Sequence, residues 1–245
     1  MRVWSYGDSH AAGHELGTIH QRDLGESFLN SLGFYKDSSN PARRIARHKL
    51  GIDQYNKLVK EKWYNHINNV CTPELSYAGE FSKLLGYEFI NRAEPGSSNS
   101  LNIYKLYQDL DKFENDDLIL FSVVTPFRFI PGSDINKTNH QVHWLPDSIA
   151  KTLWEYGPHE VCFKLQTHGY IHLLKNLPQK TIILKTVDDD VSVNEINPSF
   201  DLSLSFSGHV GTYSSNIDDL RYPGGHFHES CHKKFAEFIY ESWNK

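Results

Sequence analysis

Cysteine is scarce in this chain: three in 245 residues, at Cys71, Cys162 and Cys231. An odd number spaced so widely supports neither a disulfide framework nor a paired-cysteine metal knuckle, and reduced thiols are the simplest reading. Positive charge is scarce as well. Lys and Arg number 25 against 30 Asp and Glu, a formal charge of -5, so no basic field is available to hold a phosphate backbone and nucleic acid is not expected as a partner. Long apolar runs are missing: stretches such as Leu118 to Val124 fall far short of the roughly 20 residues that a membrane-crossing helix needs. No charged and then apolar leader precedes the first apolar run. The expectation is a protein cytoplasmic as encoded, without a membrane partner, that reaches the outside only by lysis or in a virion.

What the chain does have is a globular balance, 39% hydrophobic and 22% charged with 13% aromatics, enough for one domain over 1–245 with a continuous core. Val3 to Tyr6, Leu118 to Val124 and Thr181 to Val187 read as strands, with Tyr87 to Ile90 and Leu202 to Phe206 as weaker companions. The strongest of these are continuous apolar runs, as expected of a parallel sheet covered on both faces. Helical periodicity fills the gaps: Asp53 to Val70, Glu74 to Leu85, Leu101 to Leu110, His159 to Leu177 and Glu229 to Trp243. This alternation predicts an α/β fold, a three-layer α/β/α sandwich on a mostly parallel, roughly five-stranded doubly wound sheet. Loop insertions rich in Pro, Asn, Gly and Ser interrupt it around 34–51 and 126–146, and long loops in compact domains tend to be functional.

The first strand runs into Tyr6-Gly7-Asp8-Ser9-His10. Ligands bind at the carboxyl ends of parallel strands. Gly7 permits a sharp turn there, and Ser9, placed at the start of a following helix, would present both its hydroxyl and its N–H to an incoming carbonyl. An ordinary helix cap explains the same residues. A serine hydroxyl attacks only once a base takes its proton, and of the 14 histidines His226 is the best placed, in a loop just before the last amphipathic helix. His10 and His14 follow Ser9 and are expected on the same helix, one turn apart. Asp8, His10 and Arg128 are candidate substrate contacts, Arg128 because it lies just past the third strand.

Three separated blocks then resemble one family. Gly7-Asp8-Ser9, then Asn91-Arg-Ala93-Glu-Pro-Gly96 after the second strand, and His226 before the last helix are similar in order and spacing, over the whole chain, to the SGNH (GDSL-like) hydrolases. The resemblance implies a flavodoxin-like sandwich in which Ser9 is the nucleophile, His226 the base, and the N–H groups of Ser9 and Gly96 hold the oxyanion. Two departures stand out. The third block, usually Gly-x-Asn-Asp, reads Ser122-Val-Val-Thr125-Pro-Phe-Arg128, so an oxyanion donor is absent or supplied by Thr125, Asn99 or Asn102. The last block is Asp-x-x-His in the family, but Pro223 stands where the acid belongs, which suggests a Ser-His dyad whose base is oriented by a backbone carbonyl or by Asp218 or Asp219.

The resemblance implies a serine esterase that needs no metal and no cofactor. Its preferred substrate is a small acylated molecule or an acylated carbohydrate, with acetyl as the leading acyl group, and such signal-less members resemble phage and bacterial proteins. An acyltransferase on the same residues is one alternative. The other is a degenerate carbohydrate-binding or structural member, which the two missing residues favour. A metal reading of His226, His228, Cys231 and His232 competes for the base, and His228 and His232 are expected as solvated residues on the last helix. Arg43 to Lys49 reads as a charged helix face, Asp188 to Asp190 as a solvated turn, and Trp4, Trp63 and Trp154 as core.

Overall fold

Along β1 (Arg2–Tyr6) the side chains divide between two interiors. Val3 packs with Leu118, Leu120, Ile182 and Leu184 on one face, and Trp4 and Tyr6 with Ile119, Phe121, Val123 and Ile183 on the other. This period-2 split is what a strand with both faces covered requires. The computed structural model describes residues 1–16, 27–32, 42–63, 71–124, 128–129, 140–141, 160–186, 205–215, 220–223 and 225–244. Among these, β1, β2 (Glu88–Asn91), β3 (Leu118–Val123) and β6 (Lys180–Lys185) form a parallel sheet in the order β2-β1-β3-β6. All six residues of β3 are buried. A separate ribbon pairs β4 (Arg128–Phe129) with β5 (His140–Gln141) antiparallel, within the stretch expected as an insertion around 126–146.

The described sheet therefore has four strands rather than five. Leu202 to Leu204 lie outside the described residues, and Phe206 opens a helix, α6 (Phe206–Tyr213), because the Ser205 hydroxyl accepts the Gly208 N–H at 3.0 Å. One sheet face is covered by α3 (Tyr77–Leu85), α6 and α7 (Glu229–Trp243), which contribute Phe81, Phe206, Phe235 and Ile239 to the core. The other lies under α4 (Asn99–Asp109) and α5 (Glu160–Lys175), through Leu106, Ile171 and Leu174. No helix among the described residues is long and apolar enough to cross a membrane.

The expected insertion at 34–51 contains a helix, α1 (Ala42–Leu50), on which the Arg43 to Lys49 run falls. It is followed by α2 (Ile52–Leu58), which widens into a π turn at Val59–Trp63; residues 64–70 of the single helix expected here lie outside the described residues. Tyr55, Val59 and Trp63, four residues apart, form a third apolar cluster with Leu16, Leu29, Ala46 and Tyr222. That cluster sits beside the carboxyl end of β1, where it meets the turn that follows the strand.

Candidate functional site

Strand order reverses between β1 and β3, which lie side by side while β2 flanks β1 on the far edge. Such a switch point opens a crevice at the strands' carboxyl ends. β1 delivers Gly7, Asp8 and Ser9 there. Gly7 has no substitute: a Cβ on it would stand 2.7 Å from Ala11 Cβ and 2.9 Å from Ser122 Cβ, closer than side chains approach. Beyond Ser9 the chain makes irregular turns instead of the expected helix. Ala12 N–H reaches the Asp8 carbonyl at 2.9 Å, but His14 N–H reaches Ser9 at 2.8 Å, one residue too far for an α-helix. Gly13, at φ 68° and with the Thr72 carbonyl 2.2 Å from where its Cβ would be, lets the turn press against residues 71–73. Glu15 then adopts a left-handed φ of 62°, the lone non-glycine to do so among the described residues.

That reversal sends Glu15 inward, where it is fully buried. One carboxylate oxygen accepts the Trp63 indole N–H at 2.5 Å. The other faces His226 Nδ1 in a short hydrogen bond and also accepts the His226 backbone N–H at 3.2 Å. Burial pushes the Glu15 carboxyl up, but the His226 charge and the bonds from His226 and Trp63 outweigh it and hold the group below the usual carboxylate range. His226 stands in a tight hairpin: Tyr222 N–H bonds to the His226 carbonyl and His228 N–H to the Leu220 carbonyl, both at 2.8 Å. Pro223, standing where the family has its acid, gives its carbonyl to the Tyr55 hydroxyl at 2.8 Å. The carboxylate that meets His226 Nδ1 therefore comes from the turn that carries Ser9; Asp218 and Asp219 lie outside the described residues.

Other histidines line the same place. The rings of His10 and His14 lie 5.1 and 4.7 Å from that of His226, edge to face, so the residue after Ser9 packs on His226. His14 Nδ1 meets Cys71 Sγ at 3.5 Å; burial, then the His226 charge, pushes His14 down to about 4. His232 is not solvated as expected but wholly buried. Its Nδ1 accepts the Tyr77 N–H at 3.0 Å, and burial, with the charges of His226 and His228, brings it to about 3. Tyr77 in turn shares a 2.6 Å hydrogen bond with Ser122, under Gly7; burial, then Asp8, pushes its hydroxyl up. His228 caps α7 and packs its ring on Tyr222. The acids, histidines and cysteines whose ligand atoms converge, among the described residues, are Glu114, Asp116 and Asp117, before β3 at the sheet's opposite end, with Asp117 bound to Arg2 and Trp4.

The second block lies across from Ser9. Asn91 closes a local turn by accepting the Ala93 N–H at 3.1 Å, Glu94 N–H bonds to the Gly7 carbonyl at 3.2 Å, and Gly96 follows with φ 77°. Ser98 caps α4 by accepting the Leu101 N–H. Asn99 holds the carboxyl end of β3: its amide both donates to the Val124 carbonyl and accepts the Val124 N–H, at 2.9 Å each. Its second N–H lies 3.5 Å from Thr167 Oγ1. Asn102 accepts the Ser97 hydroxyl at 2.7 Å. The Asn99 amide, expected as an oxyanion donor, is thus engaged in holding β3, whereas Asn102 is engaged through its oxygen and its buried Nδ2 has no hydrogen-bond partner among the described residues. Thr125, Trp154 and Asp188 to Asp190 lie outside the described residues, and Arg128 is placed only by its backbone in β4.

Glu15, Trp63, Tyr77 and His232 are the members of this site that residue pattern alone misses. The one available signal for Glu15 is an acid set in the otherwise small and apolar run Ala11-Ala-Gly-His-Glu15-Leu16. Compared with protein-family models, curated proteins and solved structures, the chain gives no significant match.

Proposed function

We propose that the chain is a serine ester hydrolase of the SGNH type, acting through Ser9, His226 and Glu15. The observation that carries this reading is the buried Glu15 carboxylate on His226 Nδ1, beside the Ser9 turn. An ionised acid on Nδ1 keeps the proton there, so Nε2 is the free base, and it stabilises the imidazolium once Ser9 has given up its proton. Ser9 Oγ attacks the ester carbonyl and His226 takes its proton. His226 then returns that proton to the leaving alcohol, and water, deprotonated by the same imidazole, releases the acid from the acyl-enzyme. The N–H groups of Ser9 and Gly96 are the oxyanion donors.

A small acyl group, acetyl first, on a carbohydrate or similar alcohol is the proposed substrate. The absent family acid had favoured a degenerate, non-catalytic protein; Glu15 in its place removes that argument. A serine-directed organophosphonate with adduct mapping by mass, run beside p-nitrophenyl acetate turnover, tests the proposal. The expected result is an adduct on Ser9 and a loss of at least about 1000-fold in kcat for Ser9→Ala. No adduct on Ser9 and equal rates would overturn it.

A further inference from the structure

Trp63 gives its indole N–H to one Glu15 carboxylate oxygen at 2.5 Å, and the other oxygen meets both Nδ1 and the backbone N–H of His226. Trp63 and Glu15 are both fully buried. A carboxylate tied at one oxygen alone can still swing about its last torsion, which is broad; tied at both, it faces one way. The helix that carries Trp63 is shaped for this. Trp63 closes the π turn that follows α2, and Tyr55 stands eight positions before it. At about 100° per residue, an unbroken α-helix would set those two side chains roughly 80° apart. A π turn takes in one more residue, so the eight positions span about what seven span in an α-helix, and the pair returns to one face, within roughly 20°. From that face Trp63 bonds to Glu15, and the Tyr55 hydroxyl bonds at 2.8 Å to the Pro223 carbonyl, in the hairpin that carries His226. One helix thus braces both sides of the contact between Glu15 and His226.

We propose that Trp63 is a positioning residue for the reaction: its indole N–H sets the direction of the Glu15 carboxylate and keeps the second oxygen aimed at His226 Nδ1 in both charge states of the imidazole. In the proposed cycle His226 alternates between neutral and protonated, so the pull of its charge on Glu15 comes and goes. The indole N–H does not titrate. Its bond draws Glu15 toward the ionised form against burial, and it does so with His226 neutral, when a buried carboxylate most needs a donor. The titratable neighbours of Glu15 include His226 and His14, and substitution at 63 removes neither. The catalytic consequence rests on the esterase reading; the direction of the carboxylate does not.

Two replacements separate the N–H from the ring. Trp63→Phe removes the donor and part of the packing, whereas benzothienylalanine placed at 63 alone keeps the two-ring shape with sulfur in place of the N–H. Carboxyl 13C NMR of glutamate-labelled protein follows Glu15, identified as the signal that Glu15→Gln removes. In both replacements Glu15 should titrate at a higher pH than in wild type. Turnover of p-nitrophenyl acetate should fall about 10-fold to 100-fold in kcat with KM little changed, the worth of one hydrogen bond to a charged group. A benzothienylalanine protein that keeps the wild-type Glu15 titration, or the kcat of an active wild type, overturns the proposal even where Trp63→Phe does not fold. An inert wild-type protein in which the replacement still moves the Glu15 titration overturns the esterase reading alone and leaves Trp63 as the residue that directs Glu15.

Discussion

Glu15 divides its two carboxylate oxygens between the Trp63 indole and His226, and the contact with His226 is the one that asks for an ionised acceptor. Glu15→Gln preserves shape but presents an amide where His226 needs a negative charge, so the imidazole loses both its fixed tautomer and the partner of its imidazolium. Turnover of p-nitrophenyl acetate should drop by roughly 10^4-fold in kcat with KM nearly constant, the size seen when a triad acid becomes its amide. Steady-state kinetics on a variant of unchanged circular dichroism checks this. Why Ser9 was readable and Glu15 was not is a matter of range. A Gly-Asp-Ser turn at a strand's end is local chemistry, and so is a His in a loop before a helix. Glu15 reaches His226 only because its own backbone is left-handed at φ 62°, a conformation that its residue type does not announce. A regular helix through 9–16 would have aimed it elsewhere.

At the scale of elements, what periodicity predicted well was whatever buries one continuous face. The last helix runs over Glu229–Trp243, the span its apolar stripe marks, and all four strands of the described sheet fall within a residue or two of the runs that read as strands. Of the expected strand Leu202 to Phe206, Leu202 to Leu204 lie outside the described residues, and at its end Ser205 caps a helix that Phe206 opens. At Ser205 and Phe206, capping chemistry decides against a strand. The clamp between α4 and β3 is another device that pattern cannot show. Asn99 satisfies both polar groups of Val124, which is itself 1% exposed. Asn99→Ala strands both, and should cost roughly 3 kcal/mol, read as a lower urea midpoint with an unchanged m-value.

For the molecule as a whole, the buried histidines set the acid limb of stability. His14 and His232 are pushed down to about 4 and about 3, from about 6.5 in the unfolded chain. Between those values the unfolded chain binds protons that the folded one refuses, so stability is full above about 6.5 and drains as pH falls toward 4 and then 3. Glu15, held below its ordinary range, adds a loss that begins lower, as pH falls through the carboxylate region. The limb should therefore begin well above the pH at which carboxylates titrate. Urea unfolding at pH 7, 5.5 and 4.5 is expected to show it. His232→Asn should flatten the slope by up to about 1.4 kcal/mol per pH unit, whatever it does to stability at pH 7.

Glu15 and His226 stand 211 residues apart in sequence, so their meeting closes most of the chain into one loop. Closure on that scale is repaid only by contacts that hold the whole assembly, the strands of the sheet and the docking of α7 on α3. A partly folded chain with its central strands already paired carries the Ser9 turn and Glu15, yet not His226 beside them. On the proposed reading, reactivity is thereby tied to the completion of folding: Ser9 is armed through a contact that spans 211 residues, and unfinished forms of the protein are chemically silent.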